Sequence, residues 1–193
     1  MSESPSEKRL PEWLVRLDDL DRRAMVALYS RFRNPVFDVL MPFFSLIANR
    51  GVLHIGAGVL MLILGGPAVK SAGVVMMASA GAAGLLTEVP VKFFWKRKRP
   101  FMVMEEIEPK VPHERLLRRP SFPSGHSAGY FAGAAALSVC FPAWAPLFLA
   151  AAALGAFSRI YNGVHFPSDV LAGSIIGVVF GLITTLLLRP LLW

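Results

Sequence analysis

Cysteine is almost missing from this sequence: Cys140 is the only one in 193 residues, so no disulfide framework holds the chain. Charge is scarce as well. Asp, Glu, Lys and Arg make up 17%, against about 25% in an ordinary soluble domain. Residues 1–34 contain no apolar core of the kind found in a secretory signal, so no cleaved leader is expected. No segment alternates apolar and polar residues with period two, which excludes a membrane β-barrel. What fills the sequence instead is apolar: 54% belongs to the AVILMFWYC set, with 16 glycines besides. That is too much to leave the bulk of the chain disordered, and too much for 193 residues to hide from water. The length suits one domain.

The net charge of +7 would suggest a nucleic-acid partner if it formed a patch on a soluble domain. Here the cations sit in the N-terminal tail and in one loop, between apolar runs. That distribution suits anionic lipid headgroups, and no nucleic acid is expected. Within the tail, residues 1–34, Leu14, Leu17, Leu20, Ala24 and Leu28 recur at three- and four-residue steps. The spacing predicts an amphipathic helix lying on the membrane or on the bundle, with a solvated helical arm as the ordinary alternative.

Residues 35–193 contain six hydrophobic runs: Val36–Ala48, Gly51–Val69, Ser71–Trp95, Ser124–Phe141, Trp144–Tyr161 and Ser168–Leu188. A spanning helix needs about 20 mostly apolar residues. Five runs meet that length and the first falls short. The expected fold is therefore all-α: a transmembrane bundle of five to six spanning helices behind an N-terminal amphipathic helix. Alternation across the bilayer puts the polar loop Trp95–Pro123 and the short connection Tyr161–Pro167 on one face. Gly125, Gly129 and Gly133 recur every four residues, as do Gly173, Gly177 and Gly181. Such rows let helices approach closely in a bilayer, and they predict a close crossing of the fourth and sixth runs.

Ionisable groups at membrane depth are expensive and mark function. Glu88, Lys92, Arg99, His126, Arg159, His165 and Asp169 all fall near the loop-bearing face. Lys92, Arg99 and Arg159 offer cations, and Ser124 with the Gly125 amide starts a helix. Together they suit an oxyanion, and guanidinium forks match phosphate oxygens in pairs. Two histidines then suit phosphoryl transfer without a metal or cofactor. His165 is read as the nucleophile, His126 as the general acid and base, and Asp169, one helical turn from His165, as the group that orients it. Each residue has an ordinary alternative: interfacial snorkelling for Lys92 and Arg99, a structural ion pair for Arg159 and Asp169, a satisfied polar residue for any single histidine. His54 and His113 are left in that last class. Glu88 is read as pairing with Lys92. Lys96, Arg97, Lys98, Arg118 and Arg119 are read as headgroup contacts or a solvated loop.

The arrangement K-x6-R-P (Lys92 to Pro100), P-S-G-H (Pro123 to His126) and S-R-x5-H-x3-D (Ser158 to Asp169) resembles the type 2 phosphatidic acid phosphatase (PAP2) superfamily. The resemblance implies a helical membrane bundle and metal-independent hydrolysis of phosphate monoesters or pyrophosphates. It implies phosphate binding by Lys92, Arg99, Ser124, Gly125 and Arg159, acid and base work by His126, and attack by His165 assisted by Asp169. Bacterial relatives hydrolyse undecaprenyl pyrophosphate, phosphatidylglycerol phosphate, phosphatidate or lipid A phosphates. A lipid phosphate in the bilayer is therefore the expected substrate, and an inner-membrane protein with an extracytoplasmic site the expected location. Cation counts do not decide the orientation. If the first run spans, Arg50, the eight loop cations and Arg159 face seven tail cations with Lys70 and Arg189, ten against nine. A lipid phosphotransferase using the same site and a non-enzymatic anion-binding transporter or scaffold stand as alternatives.

Overall fold

The computed structural model describes residues 11–47, 51–88, 96–112, 117 and 119–192. The elements are helices α1 (Glu12–Arg31), α2 (Pro35–Ile47), α3 (Val52–Leu64), α4 (Pro67–Leu86), the single-turn α5 (Pro100–Val103), α6 (Gly125–Cys140), α7 (Ala145–Tyr161) and α8 (Pro167–Leu192). There is no strand among the described residues. Among the described residues the hydrophobic runs fold as helices, and prolines and glycines punctuate them. Pro35, Pro67, Pro100 and Pro167 open helices at the position where a missing N–H costs nothing. Gly65 and Gly66 break the Gly51–Val69 run, so it ends as α3 at Leu64 and α4 restarts at Pro67.

Among the described residues, three helices are long and apolar enough to cross a membrane: Pro67–Leu86, Pro142–Tyr161 and Pro167–Leu191. A fourth crossing arises if α2 and α3, bent by 67° to one another, act as one span. Of the other helices, α1 has the length but carries too many charges, and the rest are short for the task. The 16 residues of α6 reach about 24 Å at 1.5 Å per residue, against a hydrocarbon core of about 30 Å. Leu60, Ile63 and Leu64 of α3 and Leu171, Ile175, Leu186, Leu187 and Leu191 of α8 point outward, as a lipid-facing belt requires.

Helix α6 is the central post, packed on α4, α7 and α8. It buries Ala128, Ala132, Ala134, Ala135 and Ala136, side chains small enough for neighbours on several sides. The predicted crossing with α8 is present, and one glycine row makes it. A Cβ at Gly173, Gly177 or Gly181 would stand 2.3, 2.3 or 2.6 Å from the carbonyl oxygens of Ser124, Ala128 and Ala132. The row of α6 faces elsewhere. Gly125 abuts Glu88 and Thr87, while Gly129 and Gly133 abut His54 of α3. Two glycine rows on helices that cross need not face each other; here the ridge of α8 meets the alanine face of α6.

Helix α1 docks on the loop-bearing end of α7 and α8, and of its leucine stripe Leu28 packs there. Asp21, Met25 and Tyr29 are buried, whereas Leu17 and Leu20 are exposed. Met25 and Tyr29 join Ile107, Ala156, Ile160, Phe166 and Val170 in one apolar cluster. The Tyr29 hydroxyl donates to the Glu108 carbonyl (2.9 Å), so α1 also holds the polar loop. Asn34 caps α2, its side-chain oxygen accepting from the Phe37 amide (2.9 Å).

Candidate active site

The site lies where the loop after α4, the start of α6 and the α7–α8 connection meet. The S-R-x5-H spacing is a helix end. Asn162 closes α7, and Gly163 takes a left-handed conformation (φ 72°) that reverses the chain. The amides of Val164 and His165 then return to the Arg159 carbonyl (3.2 and 3.3 Å). This fold-back places His165 beside the end of the helix that carries Arg159. Asp169 follows in the first turn of α8. Its Oδ2 accepts from the Phe166 amide (2.9 Å) and lies 3.5 Å from His165 Nδ1. The predicted one-turn relation of the two residues is therefore present. Asp169 is fully buried.

Arg99 is also buried, 2% exposed. It donates to the carbonyls of Arg119 (3.1 Å), Val164 (2.8 Å) and Pro120 (3.2 Å), and its Nη1 lies 3.1 Å from His165 Nε2. A guanidinium has donors only, so Nε2 accepts and the ring proton belongs on Nδ1, toward Asp169. That tautomer keeps the lone pair on Nε2, where the Arg99 guanidinium now meets it. Burial pushes the Arg99 guanidinium down to about 10, against the opposing pull of Asp169 and Glu88.

Arg159, 3% exposed, donates through Nη1 to Ser45 Oγ of α2. Its Nε has no hydrogen-bond partner among the described residues. A buried guanidinium with an unused edge is a place for an anion. Ser124 caps α6: its Oγ accepts from the Ser127 amide (3.3 Å) and the Ser127 hydroxyl (2.9 Å). With both lone pairs in use, its own O–H remains to donate. The Ser124 amide donates to the Asp169 carbonyl (3.0 Å), tying the two helix starts together. His126 stands two residues further on, half-buried in the first turn of α6 beside Gly125. Lys92, His113, Arg115 and Arg118 lie outside the described residues.

The expected pairing of Glu88 with Lys92 lies outside the described residues; among those described, Glu88 pairs with Arg119 (3.3 Å). One sequence expectation needs correction. Arg97, read as a headgroup contact or solvated loop, is 17% exposed and enclosed by acids. Its Nη1 donates to Asp169 Oδ1 (3.0 Å) and Ser168 Oγ (2.8 Å), and its Nη2 to Asp18 Oδ1 (3.0 Å), with Asp21 Oδ2 2.7 Å away. Its guanidinium stacks 4.0 Å from the Phe166 ring centroid. The 96–99 segment is non-helical, and exposure alternates along it: Lys96 and Lys98 outward, Arg97 and Arg99 inward. The signal in the sequence was the two-residue step from Arg99 back to Arg97.

Comparison with known proteins agrees with this geometry. The family model described as the PAP2 superfamily matches residues 71–193. The crystal structure of Aquifex aeolicus LpxE superimposes with a TM-score of 0.69 at 28% identity, covering 86% of this chain and 94% of that one. A transmembrane PAP2-type phosphatidylglycerolphosphate phosphatase from Bacillus subtilis gives 0.66 at 25% identity, covering 91% and 87%. A lipid A 1-phosphatase from Rhizobium johnstonii is 42% identical over 66 residues, 34% of this chain. That match spans only 27% of the relative's length. With its apolar helices, this is a multi-pass integral membrane protein, and the chain belongs to the PAP2 superfamily.

Proposed function

We propose that the protein is a metal-independent lipid phosphate or pyrophosphate phosphatase that works through a phosphohistidine. The observation that carries the reading is His165 itself: Nε2 faces a guanidinium and Nδ1 faces a buried carboxylate. The Nε2 lone pair attacks phosphorus as the bond to the leaving oxygen breaks, and His126 gives that oxygen a proton. Asp169 stabilises the cation formed on the His165 ring. In the second half His126 takes a proton from water, the water oxygen bonds to phosphorus, and the P–N bond returns its electrons to Nε2. Arg159 offers its unused Nε edge to the phosphoryl oxygens. The Arg99 Nη1 now against Nε2 turns to a phosphoryl oxygen as the substrate enters, which frees that lone pair for the attack. Ser124, Gly125 and Lys92 complete the cradle.

The substrate class follows from where such a site sits. A pocket at the end of apolar helices suits a phosphate whose hydrocarbon stays in the bilayer. Lipid A 1-phosphate, undecaprenyl pyrophosphate, phosphatidylglycerol phosphate and phosphatidate are the compounds to try. The protein is assigned to a bacterial inner membrane, with the pocket on the extracytoplasmic face.

The test is phosphate release from that panel by purified protein in liposomes. His165→Ala is expected to lose roughly 10⁴-fold or more of kcat, as loss of a nucleophile does. A chelator is expected to leave activity intact. Full activity in His165→Ala defeats the mechanism. Transfer of label to a second lipid rather than to water makes the protein a phosphotransferase.

A further inference from the structure

We propose that the N-terminal helix is part of the working site: Asp18 and Asp21 of α1 hold Arg97, and Arg97 holds the Asp169 carboxylate in the orientation His165 needs. The inference rests on the reading of His165 as nucleophile given above. The family match begins at residue 71, so the α1 residues lie outside the part of the chain that match describes.

The contacts form one connected relay. Asp21 uses both oxygens on the start of α8: Oδ1 accepts from the Ser168 amide (2.9 Å) and Oδ2 from the Ser168 hydroxyl (2.5 Å). A helix of one segment thus receives its N-terminal carboxylate from another. Asp21 Oδ2 also pairs with Arg97, and Asp18 meets Arg97 from one helical turn away while pairing with Arg22 (2.7 Å). Arg97 in turn occupies Asp169 Oδ1. Oδ2 is left for the Phe166 amide and the His165 ring. With one oxygen fixed by a stacked guanidinium, the carboxylate cannot rotate away from the imidazole.

Charge supports the same conclusion. On the α1 side of Asp169, Asp18 and Asp21 face Arg97 and Arg22, two charges of each sign, which leaves the Asp169 charge for the His165 ring, with Arg99 on that ring's other side. Arg97 holds its own proton firmly: burial would lower its pKa, but Asp169 and Asp21 raise it above the usual arginine value. Arg97 makes no contact with the Nε2 side of His165, so it is a positioning residue.

The experiment compares wild type with Arg97→Gln, Arg97→Lys, Asp21→Asn and the Arg97→Gln/Asp21→Asn double variant. The best lipid of the panel is the substrate, and each protein's melting temperature is measured alongside. Arg97→Gln and Asp21→Asn are each expected to lower kcat roughly tenfold with KM little changed. The double variant should be no worse than Arg97→Gln alone, because the two act through one path. Lysine, a point charge without the fork, should not restore kcat. Unchanged kcat in the single variants overturns the relay, as does a double variant whose losses multiply, or full rescue by lysine. If Arg97→Gln does not fold, the kcat and KM of Asp21→Asn decide alone. A wild type that releases phosphate from no lipid overturns the phosphatase reading and the relay with it. An active wild type with unaffected variants overturns only the relay.

Discussion

The Ser124 amide donates to the Asp169 carbonyl at 3.0 Å. Residues 45 apart are thereby locked main chain to main chain, and the first turns of α6 and α8 share one origin. Gly173, one turn beyond Asp169 in α8, makes that approach possible, since a Cβ there would stand 2.3 Å from the Ser124 carbonyl oxygen. The distance between the P-S-G-H and S-R-x5-H-x3-D segments is therefore set by backbone contact, which no side-chain repacking can absorb.

Gly173→Ala and Gly177→Ala are expected to destabilise the protein by about 1–3 kcal/mol, the usual consequence of overpacking against atoms that cannot move. Gly173→Ala should also depress kcat, because it pushes Ser124 away from Asp169. Gly129→Ala is the control: its Cβ would meet only His54 Cε1, at 3.7 Å. It should stay within about 0.5 kcal/mol of wild type. Melting temperatures in one detergent, with kcat on the same preparations, check all three. Equal losses at 129 and 177 would contradict the assignment of the rows.

Much of this arrangement could be read from the sequence. Hydrophobic runs mark helices because a bilayer leaves the backbone no other way to satisfy its polar groups. The one-turn spacing of His165 and Asp169 is local, and local spacing survives folding. The faces of the helices were less legible. The spacing put Leu14, Leu17, Leu20, Ala24 and Leu28 on one face of α1, to meet membrane or bundle; Leu17 and Leu20 stay exposed, and Asp21, Met25 and Tyr29 are the residues buried. A helix near a membrane can turn its leucines outward, so its moment no longer points to the core. Asp21 carries no signal in the sequence, because its partners, Arg97 and Ser168, lie 76 and 147 residues away. Arg97 was masked by its neighbours: within Lys96–Arg99, four cations in a row look like a charge run until an extended backbone sends alternate ones inward.

The carboxylate of Asp169 is expected to act in the reaction rather than in binding. Asp169→Asn keeps an oxygen for the Phe166 amide but removes the charge that stabilises a His165 cation. Arg97 keeps Asp18 and Asp21 in that variant, so the fold should survive. We expect kcat to fall roughly 10³–10⁴-fold with KM within a few-fold of wild type, the pattern of an orienting carboxylate. Steady-state kinetics on the best lipid substrate check this. A large rise in KM with unchanged kcat would instead make Asp169 part of phosphate binding.

Phosphate or orthovanadate should stabilise the protein through the two buried guanidiniums. Ligand at 100 times its Kd adds about 2.7 kcal/mol to stability, enough for a clear rise in melting temperature. Arg159→Met should abolish most of that rise, since it removes the unused Nε edge. The effect should also depend on pH in a defined direction. Burial holds Arg99 down to about 10, well below the value of an arginine in the unfolded chain. Below about pH 10 the buried cation works against the folded state, and a bound anion relieves it. As pH rises through about 10 the charge is lost, so the anion-induced shift should fade there and be full at pH 7 to 9. A shift independent of Arg159 would place the anion elsewhere.

The membrane orientation is open to a direct chemical test, because the two ends of α6 carry suitable positions. Cys140 ends the helix about 24 Å from Ser124, at the face away from the site. Lys98 is exposed at the site face, and only its main chain is used there, its carbonyl accepting from the Ser121 hydroxyl (3.1 Å). Lys98→Cys in a Cys140→Ser background should react with a membrane-impermeant maleimide in intact cells. Wild type, with Cys140 alone, should react only after permeabilisation. The opposite pattern would put the phosphate pocket in the cytoplasm. Phosphate-release activity of both proteins in liposomes verifies that the labelled molecules are folded. With the first run spanning, ten cations would face nine across the bilayer, a positive-inside bias too small to fix this outcome, and the accessibility of Lys98→Cys decides it.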